Sequence, residues 1–413
     1  MFARVVRVLV VAGQLAAVGC GPVRHASLGS AAGAGAGAAA GSAGSQGPVG
    51  PATAGETAAA GTTSPPDGAT DRGDDAGGAV PVADAGTAPA DDAGSVSDAA
   101  FDAPTPVGCV NDVRPGLHDF ACDSTIHSVS IPEQCTKSAC GVIVDVHGGM
   151  MSSQMQDKNT NLRELGRQHG YIVVQPNASQ NPLLLDQRLF VADTDDTRVM
   201  NILMQVIEAF HADRTRIHMT GFSEGGFMTW RWFCAHSELL ASVAPGAAAW
   251  QCGNLANAGL TPPEIGCELS PSRGTRSNIP VLYMQGMKDG LVDPMCADSW
   301  VRSNLMTTLA LGAGTVLSGD PSFKSADYVR TRYLDPNGVP FEYIQHQYST
   351  DSAFLGVGIA GHCYPGSTDL TPTPPAQTLI APDQLMSFGC TDQCAFDWGR
   401  EVIAFFIAHP KRR

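Results

Sequence analysis

One serine in this sequence has the neighbours that a nucleophile needs. Residues 216–230 read RIHMTGFSEGGFMTW, with Ser223 at the centre of the motif GFSEG. Apolar and β-branched residues before the motif predict a buried strand, and apolar residues at helical spacing predict a helix after it. A serine on such a turn projects its hydroxyl above the sheet, and the backbone N–H of Glu224 then faces a developing oxyanion. The alternative is a Gly-Ser loop without chemistry, but the flanking elements favour a nucleophile.

A serine nucleophile needs a histidine base, which follows the serine along the chain in this kind of site. Four histidines come after Ser223, namely His236, His346, His362 and His409. The first is expected on the helix after the turn, the second inside a strand, and the last at the end of the final helix. Only His362, within GIAGHCYPGS, is expected in a loop past a strand. We therefore predict that His362 is the base.

The acid that orients this histidine is expected between the serine and the histidine. The stretch LYMQGMKDGLVD (282–293) places Asp289 just past a buried strand. Asp293 is the rival, but it could instead cap a helix that begins near Pro294. We prefer Asp289 because it is closer to the end of the strand.

The second half of an oxyanion hole is expected from the loop after an earlier strand. The tetrapeptide HGGM (147–150) follows the apolar run GVIVDV. Gly149 is the predicted backbone N–H donor, and Met150 is the next choice. Because His147 precedes the serine in the chain, we predict a structural hydrogen-bonding role for it rather than a catalytic one.

The acidic run DTDD (193–196) could suggest a calcium site. It lacks the regular ligand spacing and the glycine of a calcium-binding loop. Helix capping is the better interpretation. We predict neither a metal ion nor an organic cofactor.

Strand and helix patterns alternate, which predicts an α/β fold with a mostly parallel central sheet flanked by helices. Near-continuous apolar runs such as GVIVDV are typical of buried parallel strands. The motif DPNG (335–338) predicts the turn of a hairpin over 328–347. Strands are predicted at 125–131, 141–149, 171–176, 216–223, 241–247 and 280–286, and helices at 161–170, from 195 or 196 to 212, and at 397–409. Residues 248–279, which include Trp250, predict an insertion near the site.

The first 20 residues, MFARVVRVLVVAGQLAAVGC, predict a secretory signal, with two arginines, an apolar run and small residues before Cys20. The end of this segment resembles a bacterial lipoprotein box, in which the cysteine is lipidated and becomes the N-terminus. The apolar run is too short to span a bilayer. We expect a lipid anchor at Cys20 and an extracytoplasmic protein at the outer membrane or cell surface; otherwise, cleavage nearby yields a secreted protein.

Residues 21–106 consist largely of Ala, Gly, Ser, Pro, Thr and Asp, with ten acidic residues against two arginines. Such a segment cannot bury enough apolar area to offset its chain entropy. We predict a disordered tether over 21–106 and one large domain over 107–413. The net charge of −15 argues against nucleic-acid binding, which needs a basic surface.

The chain has 12 cysteines, and 11 of them fall within 107–413. In a protein with a secretory signal, disulfides are the expected state. The close pairs at 135/140 and 390/394 have no companion pair at zinc-site spacing, so we predict disulfides rather than metal ligands. Because 11 is odd, at least one thiol is unpaired or bonds outside the chain. Cys234, on an apolar helix face, is the candidate for a buried free thiol.

Taken together, these motifs resemble those of α/β-hydrolase esterases in the polyhydroxybutyrate depolymerase and feruloyl/acetylxylan esterase group. The matching pieces are VDVHGG, DDTRV, DRTRIHMTGFSEGG, QGMKDGLVD, GHCYPG and the final helix, within residues 125–409. GHCYPG is the most specific of them. The resemblance implies Ser223 as nucleophile, Asp289 as acid and His362 as base, the same residues that the spacing argument selects.

Two positions depart from this group: Tyr364 stands where tryptophan is usual, and Gln285 stands where many members have histidine. Tannase-like relatives bridge two cysteines beside the serine and the histidine. Here Cys363 follows the histidine, but Phe222 precedes the serine. That bridge cannot form, so Cys363 must pair elsewhere or stay free.

The sequence thus predicts a lipid-anchored or secreted serine esterase that hydrolyses carboxylic esters through an acyl-enzyme. The ester substrate stays open between a polyester and an acylated polysaccharide. The alternative is an inactive surface lipoprotein that keeps the fold as a binding module. The complete set of serine, acid, histidine and glycines argues against that alternative.

Overall fold

The structure is a computed structural model that describes residues 101–181, 187–191, 194–249, 252, 279–354, 357–369 and 387–411. The predicted signal segment with Cys20 and the predicted tether up to residue 100 lie outside these residues. Most of the predicted insertion at 248–279, including Trp250, also lies outside them.

The strands are short and numerous, and most of them join one sheet. Their bounds are β1 (Gly116–Cys122), β2 (Thr125–Ile131), β3 (Gly141–Val146), β4 (Tyr171–Pro176), β5 (Gln180–Asn181), β6 (Gln187–Arg188), β7 (Ile217–Phe222), β8 (Ser242–Gly246), β9 (Val281–Gly286), β10 (Thr315–Gly319), β11 (Tyr328–Leu334), β12 (Pro340–His346), β13 (Thr350–Phe354) and β14 (Val357–Ala360). The main sheet has ten strands in the order β1-β2-β4-β3-β7-β8-β9-β12-β11-β10. β5 with β6 and β13 with β14 form two separate two-stranded sheets.

The middle of the main sheet is parallel. Strands β4, β3, β7, β8, β9 and β12 run in the same direction. Antiparallel strands continue the sheet at both edges. Every residue of β3, β4, β7, β8 and β9 is buried, which explains why these strands are nearly continuous apolar runs. The predicted fold class is confirmed.

Helices cover both faces of the sheet. They are α1 (Ser153–Thr160), α2 (Leu162–His169), α3 (Thr194–Ala209), α4 (Glu224–Ala235), α5 (Pro294–Trp300) and α6 (Trp398–Ala408). A 3-10 helix spans Glu133–Thr136, and α5 continues through a π-helical turn, Val301–Leu305, into Met306–Thr308. Across the described ranges, no helix combines the length and the apolar character that crossing a membrane requires.

The two faces of the sheet contribute to two separate cores. Helices α3, α4 and α5 pack with Val142 and Val144 of β3 in one core. Helices α1, α2 and α6 pack with Ile143 in the other. Because successive side chains of a strand point to opposite faces, a single apolar strand such as β3 supplies both cores.

The predicted elements of the sheet are confirmed. The strands predicted at 125–131 and 171–176 match β2 and β4, and the DPNG turn joins β11 to β12. The helix predicted to begin at Asp195 or Asp196 begins at Thr194. The edge strands β1 and β10 were not predicted. They are largely exposed, so they carry no apolar run that a sequence pattern could reveal.

Disulfides join cysteines throughout the described domain. The pairs are Cys109–Cys122, Cys135–Cys140, Cys252–Cys296 and Cys363–Cys390. The prediction that Cys234 is a free thiol is wrong, because Cys234 is disulfide-bonded. Of the two close pairs, 135/140 forms the predicted disulfide, but 390/394 does not, because Cys390 pairs with Cys363 and Cys394 is the free cysteine of the described part. Cys363 therefore pairs elsewhere, one of the two outcomes that the sequence allowed.

A buried histidine couples the stability of this fold to pH. His346 lies in β12, is fully buried and stacks on Tyr348 at a centroid distance of 5.7 Å. Burial lowers the pKa of His346 to about 3. In the unfolded chain, a histidine takes up a proton near pH 6.5. Between these values the unfolded state binds this proton and the native state does not, so the contribution of His346 to stability falls as the pH falls.

We expect His346→Phe to reduce this acid sensitivity, because phenylalanine keeps the stacking and cannot be protonated. The slope of the unfolding free energy between about pH 6.5 and 4 should decrease by up to about 1.4 kcal/mol per pH unit. Denaturant unfolding of both proteins at several pH values measures the slope. Equal slopes would mean that native His346 is protonated over this range.

Candidate functional site

Ser223 lies on a tight turn between a strand and a helix. β7 ends at Phe222, α4 begins at Glu224, and Ser223 between them has φ 54° and ψ −116°. A positive φ is unfavourable for a residue with a side chain and persists only where the surroundings enforce it. Here the Ser223 N–H donates to the Gly246 carbonyl at 2.9 Å, and the Ser223 carbonyl accepts from the N–H of Phe227 at 2.9 Å. The sheet and the helix thus fix this backbone from both sides.

The two glycines of the motif are required by close backbone contacts. A Cβ on Gly225 would lie 2.1 Å from the carbonyl oxygen of Val146, at the end of β3. A Cβ on Gly221 would lie 2.4 Å from the carbonyl oxygen of Gly225. Real Cβ atoms do not approach backbone oxygens this closely. Glycine at both positions lets the first turn of α4 sit directly against the ends of β3 and β7.

His362 and Asp289 form a buried hydrogen-bonded pair. The distance between His362 Nδ1 and Asp289 Oδ2 is 2.8 Å, and both side chains are almost fully buried. Since the carboxylate accepts at Nδ1, the proton belongs on that nitrogen and Nε2 is left as the basic atom. His362 Nε2 is buried and has no hydrogen-bond partner within the described residues. The His362 ring lies 4.8 Å from the ring of Phe222, the residue before Ser223.

The two rival acids have different partners. Asp289 Oδ1 accepts from the N–H groups of Leu291 and Val292 at 2.8 and 2.7 Å, and Oδ2 also accepts from Gln285 Nε2 at 3.0 Å. Asp293 is the N-cap of α5, and its carboxylate accepts from two N–H groups of the first turn at 2.9 and 3.2 Å. The structure thus brings Asp289 to His362 and assigns Asp293 to the helix.

The loop after β3 lies beside the serine. A Cβ on Gly148 would be 3.4 Å from Ser223 Cβ, and a Cβ on Gly149 would be 3.4 Å from a carboxyl oxygen of Glu224. Both ring nitrogens of His147 are engaged: Nδ1 with the Gly148 carbonyl at 2.7 Å, and Nε2 with the N–H of Ala178 at 3.1 Å. These hydrogen bonds hold the loop, which fits the structural role predicted for His147.

All of these groups lie at one edge of the sheet. Ser223 follows β7, Asp289 follows β9 and the glycine loop follows β3, all parallel strands. Parallel strands that end in loops at the same edge place those loops together. A serine on a strained strand-to-helix turn at this edge completes the pattern. The chain has the α/β-hydrolase fold.

The chain shows limited similarity to several known proteins. No family profile matches the chain. A bifunctional acetylxylan esterase/xylanase of Neocallimastix patriciarum is 27% identical over 105 residues, which is 25% of this chain but only 15% of that protein. An acetyl xylan esterase from Aspergillus awamori has a TM-score of 0.42 at 14% identity, covering 59% of this chain and 94% of its own. An S-formylglutathione hydrolase from Agrobacterium tumefaciens has a TM-score of 0.38 at 15% identity, covering 46% and 81%.

A buried polar network beneath the α/β-hydrolase site was not predicted. The Tyr364 hydroxyl donates to Gln156 Oε1 at 2.6 Å, and Gln156 Nε2 donates to Asp145 Oδ1 at 2.6 Å. The Tyr364 ring stacks on Phe222 at 4.0 Å. Burial raises the pKa of Asp145 to about 6, while hydrogen bonds from neighbouring side chains oppose this shift. The sequence contains a signal for this network, because an aspartate inside the apolar run VIVDV must find hydrogen-bond partners when it is buried.

Two aspartates of the acidic run, at the start of α3, make ion pairs. Asp195 accepts from the N–H of Val191 at 2.6 Å and from Arg198 at 2.8 Å. Asp196 binds Arg231 of α4 through two hydrogen bonds of 2.8 and 2.5 Å. Both carboxylates lie in the first turn of α3. The helix-capping interpretation is wrong for these two side chains, because they bind arginines. Asp193 lies outside the described residues. Within those residues, no cluster of three or more His, Cys, Asp or Glu side chains could hold a metal ion.

We expect Gly225→Ala to destabilise the domain by about 1–3 kcal/mol, because the new methyl group overlaps the Val146 carbonyl and the backbone must shift. Gly358→Ala is the matched control, since a Cβ at Gly358 would meet no atom within 4 Å. Denaturant unfolding of the two variants and the wild type tests this. A Gly225→Ala protein as stable as the control would contradict the close contact.

Proposed function

We propose that this protein is a serine hydrolase of carboxylic esters, with Ser223 as nucleophile, His362 as base and Asp289 as acid. The observation that carries the proposal is the state of His362. Its Nδ1 is bound to a buried carboxylate, its Nε2 has no hydrogen-bond partner in the described part of the chain, and its ring packs against the residue before Ser223. This is the arrangement that general-base activation of a serine requires.

The proposed reaction has two halves. His362 Nε2 takes the Ser223 proton as the hydroxyl oxygen attacks the ester carbonyl, while Asp289 stabilises the imidazolium. The backbone N–H groups of Glu224 and Gly149 hold the oxyanion. The tetrahedral intermediate expels the alcohol, which takes the proton from His362, and an acyl-enzyme remains. Water activated by His362 then attacks the acyl group, and the acid is released as Ser223 regains its proton.

The substrate class proposed is an acylated polysaccharide, with a polyester as the second candidate. The curated relative is named an acetylxylan esterase, and its similarity to this chain favours the polysaccharide. The motifs of the sequence fit both substrates equally. The proposed chemistry uses only side chains and backbone groups of the chain, so it requires neither a metal ion nor an organic cofactor.

The proposed location is outside the cytoplasm, with a lipid anchor at Cys20 and residues 21–106 as a tether to the catalytic domain at 107–413. The disulfides of the described domain support export, because such bonds form and persist mainly in oxidising compartments. Secretion after ordinary cleavage would place the same domain in the same compartment.

Hydrolysis by wild type and Ser223→Ala tests the proposed activity. We expect the wild type to hydrolyse members of a panel containing p-nitrophenyl acetate, p-nitrophenyl butyrate, methyl ferulate, acetylated xylan and 3-hydroxybutyrate oligomers. Ser223→Ala should lose at least about a hundredfold in rate, because the nucleophile is absent. Unfolding curves of both proteins show that the variant is folded. A folded wild type without serine-dependent turnover would contradict the esterase and favour the binding module.

A matched pair of variants tests which of the two aspartates is the catalytic acid. We expect Asp289→Asn to lower kcat by at least about a hundredfold, because the imidazole loses its orientation and its counter-charge. Asp293→Asn should keep kcat within a few-fold and lose at most about 1 kcal/mol of stability from a weaker helix cap. Steady-state kinetics measure kcat, and denaturant unfolding measures the stability of both variants. The reverse pattern of kcat would make Asp293 the acid.

A further inference from the structure

Glu224 has a carboxyl group in an unusual position. Its backbone follows the candidate nucleophile, and its side chain reaches across to the loop after β3. Oε2 would lie 3.4 Å from a Cβ built on Gly149, so the carboxyl group lies directly against that residue. This oxygen is buried and has no hydrogen-bond partner among the described residues. A buried polar atom without a partner is rare in native proteins and requires an explanation.

The groups around this carboxyl offset a negative charge only in part. The backbone N–H of Phe190 favours the charged form of this carboxyl. Arg231 favours the charged form of this carboxyl, but its Nε and Nη2 both donate to Asp196, and its buried Nη1 has no hydrogen-bond partner among the described residues. Asp195, on α3, adds an unfavourable negative charge.

An ionised Glu224 would also oppose the proposed chemistry. Gly149 and Glu224 itself are the predicted N–H donors to the oxyanion, so the carboxyl lies at the end of the site where negative charge develops. A carboxylate there repels the oxyanion in a poorly screened environment. A neutral carboxylic acid does not repel it, and its O–H is a hydrogen-bond donor without a partner among the residues that the structure describes.

We propose that the Glu224 side chain acts as a neutral carboxylic acid in the oxyanion end of the site, where it donates a hydrogen bond to an oxygen atom of the ester. The role deepens the proposed function and rests on it. Ionisation of Glu224 removes the donor and places a negative charge beside the oxyanion. The site is therefore active with the acid form and loses activity when the proton dissociates.

The electrostatics of the pocket keep the acid form at neutral pH. The pKa of Glu224 is raised to about 8, mainly by burial and further by the negative charge of Asp195. The Phe190 N–H and Arg231 act in the opposite direction and lower this pKa. The native protein therefore holds a proton on Glu224 between its ordinary value of 4.5 and about 8, where the unfolded chain has released it. Over that window the contribution of Glu224 to the stability of the wild type falls as the pH rises, because this residue binds a proton in the native state and not in the unfolded state.

The first test compares pH profiles of kcat/KM for p-nitrophenyl acetate between about pH 6 and 10, each scaled to its own maximum. The wild type should lose activity above about pH 8, approaching tenfold per pH unit. Glu224→Gln, which carries a donor and cannot ionise, should lack this alkaline limb. The same limb in both proteins would overturn the role of the charge.

A second variant tests the hydrogen bond separately. Glu224→Met has a similar length but no donor, so at pH 7 we expect kcat to be about five- to tenfold below that of Glu224→Gln. Equal kcat values for the two variants would overturn the role of the donor. Because both variants remove the charge, their difference reports the donor alone.

A third measurement does not depend on turnover. The unfolding free energy of Glu224→Gln relative to the wild type should increase between pH 5 and about 8 and then level off. A difference that is independent of pH would show that Glu224 is not held neutral and would overturn the proposal. If Ser223 proved not to be a nucleophile, hydrolysis would be absent while this pH dependence persisted, so the two failures are distinguishable.

Discussion

The backbone of Ser223 is the constraint on which the rest of the site depends. A positive φ on a residue with a side chain is held only because a strand ends before it, a helix starts after it, and hydrogen bonds fix its N–H and carbonyl. Glycines at 221 and 225 let these elements approach to a distance that a Cβ would prevent. The sheet therefore does more than form a core. The close packing at its carboxyl edge also holds the backbone of Ser223 at a positive φ.

The loop of His362 is held against this turn by several independent contacts. Asp289 and Ala360 form a β-bridge, and the Gly361 N–H donates to the Lys288 carbonyl, so the loop of the acid and the loop of the histidine are joined by backbone hydrogen bonds. The Cys363–Cys390 disulfide fixes the residue after the histidine. The ring of Tyr364 stacks on Phe222. Together these contacts give the imidazole one orientation, which a base acting on a fixed hydroxyl needs.

Much of this site follows from the sequence because chain order and strand ends are local signals. Ser223 and Asp289 each follow a largely apolar strand, and the DPNG motif is a strong turn signal. The Asp145 network and the Glu224 contact could not be located in this way, since their partners are distant along the chain and meet only in the folded sheet. Cys234 shows the same limit: a cysteine on an apolar helix face suits a free thiol and a disulfide equally, and the sequence pattern does not contain the partner. The edge strands β1 and β10 could not be predicted for a different reason. They are largely exposed, so their sequences carry no clear pattern of apolar residues.

The central claim is that the His362–Asp289 pair activates Ser223, and covalent labelling tests it most directly. The full chain would be treated with a fluorophosphonate, which reacts with activated serine hydroxyls, and the modified peptide identified by mass spectrometry. The account predicts one adduct, on Ser223, formed by the wild type and not by a folded His362→Ala variant. An adduct on another residue, or a native wild type that forms none, would contradict it.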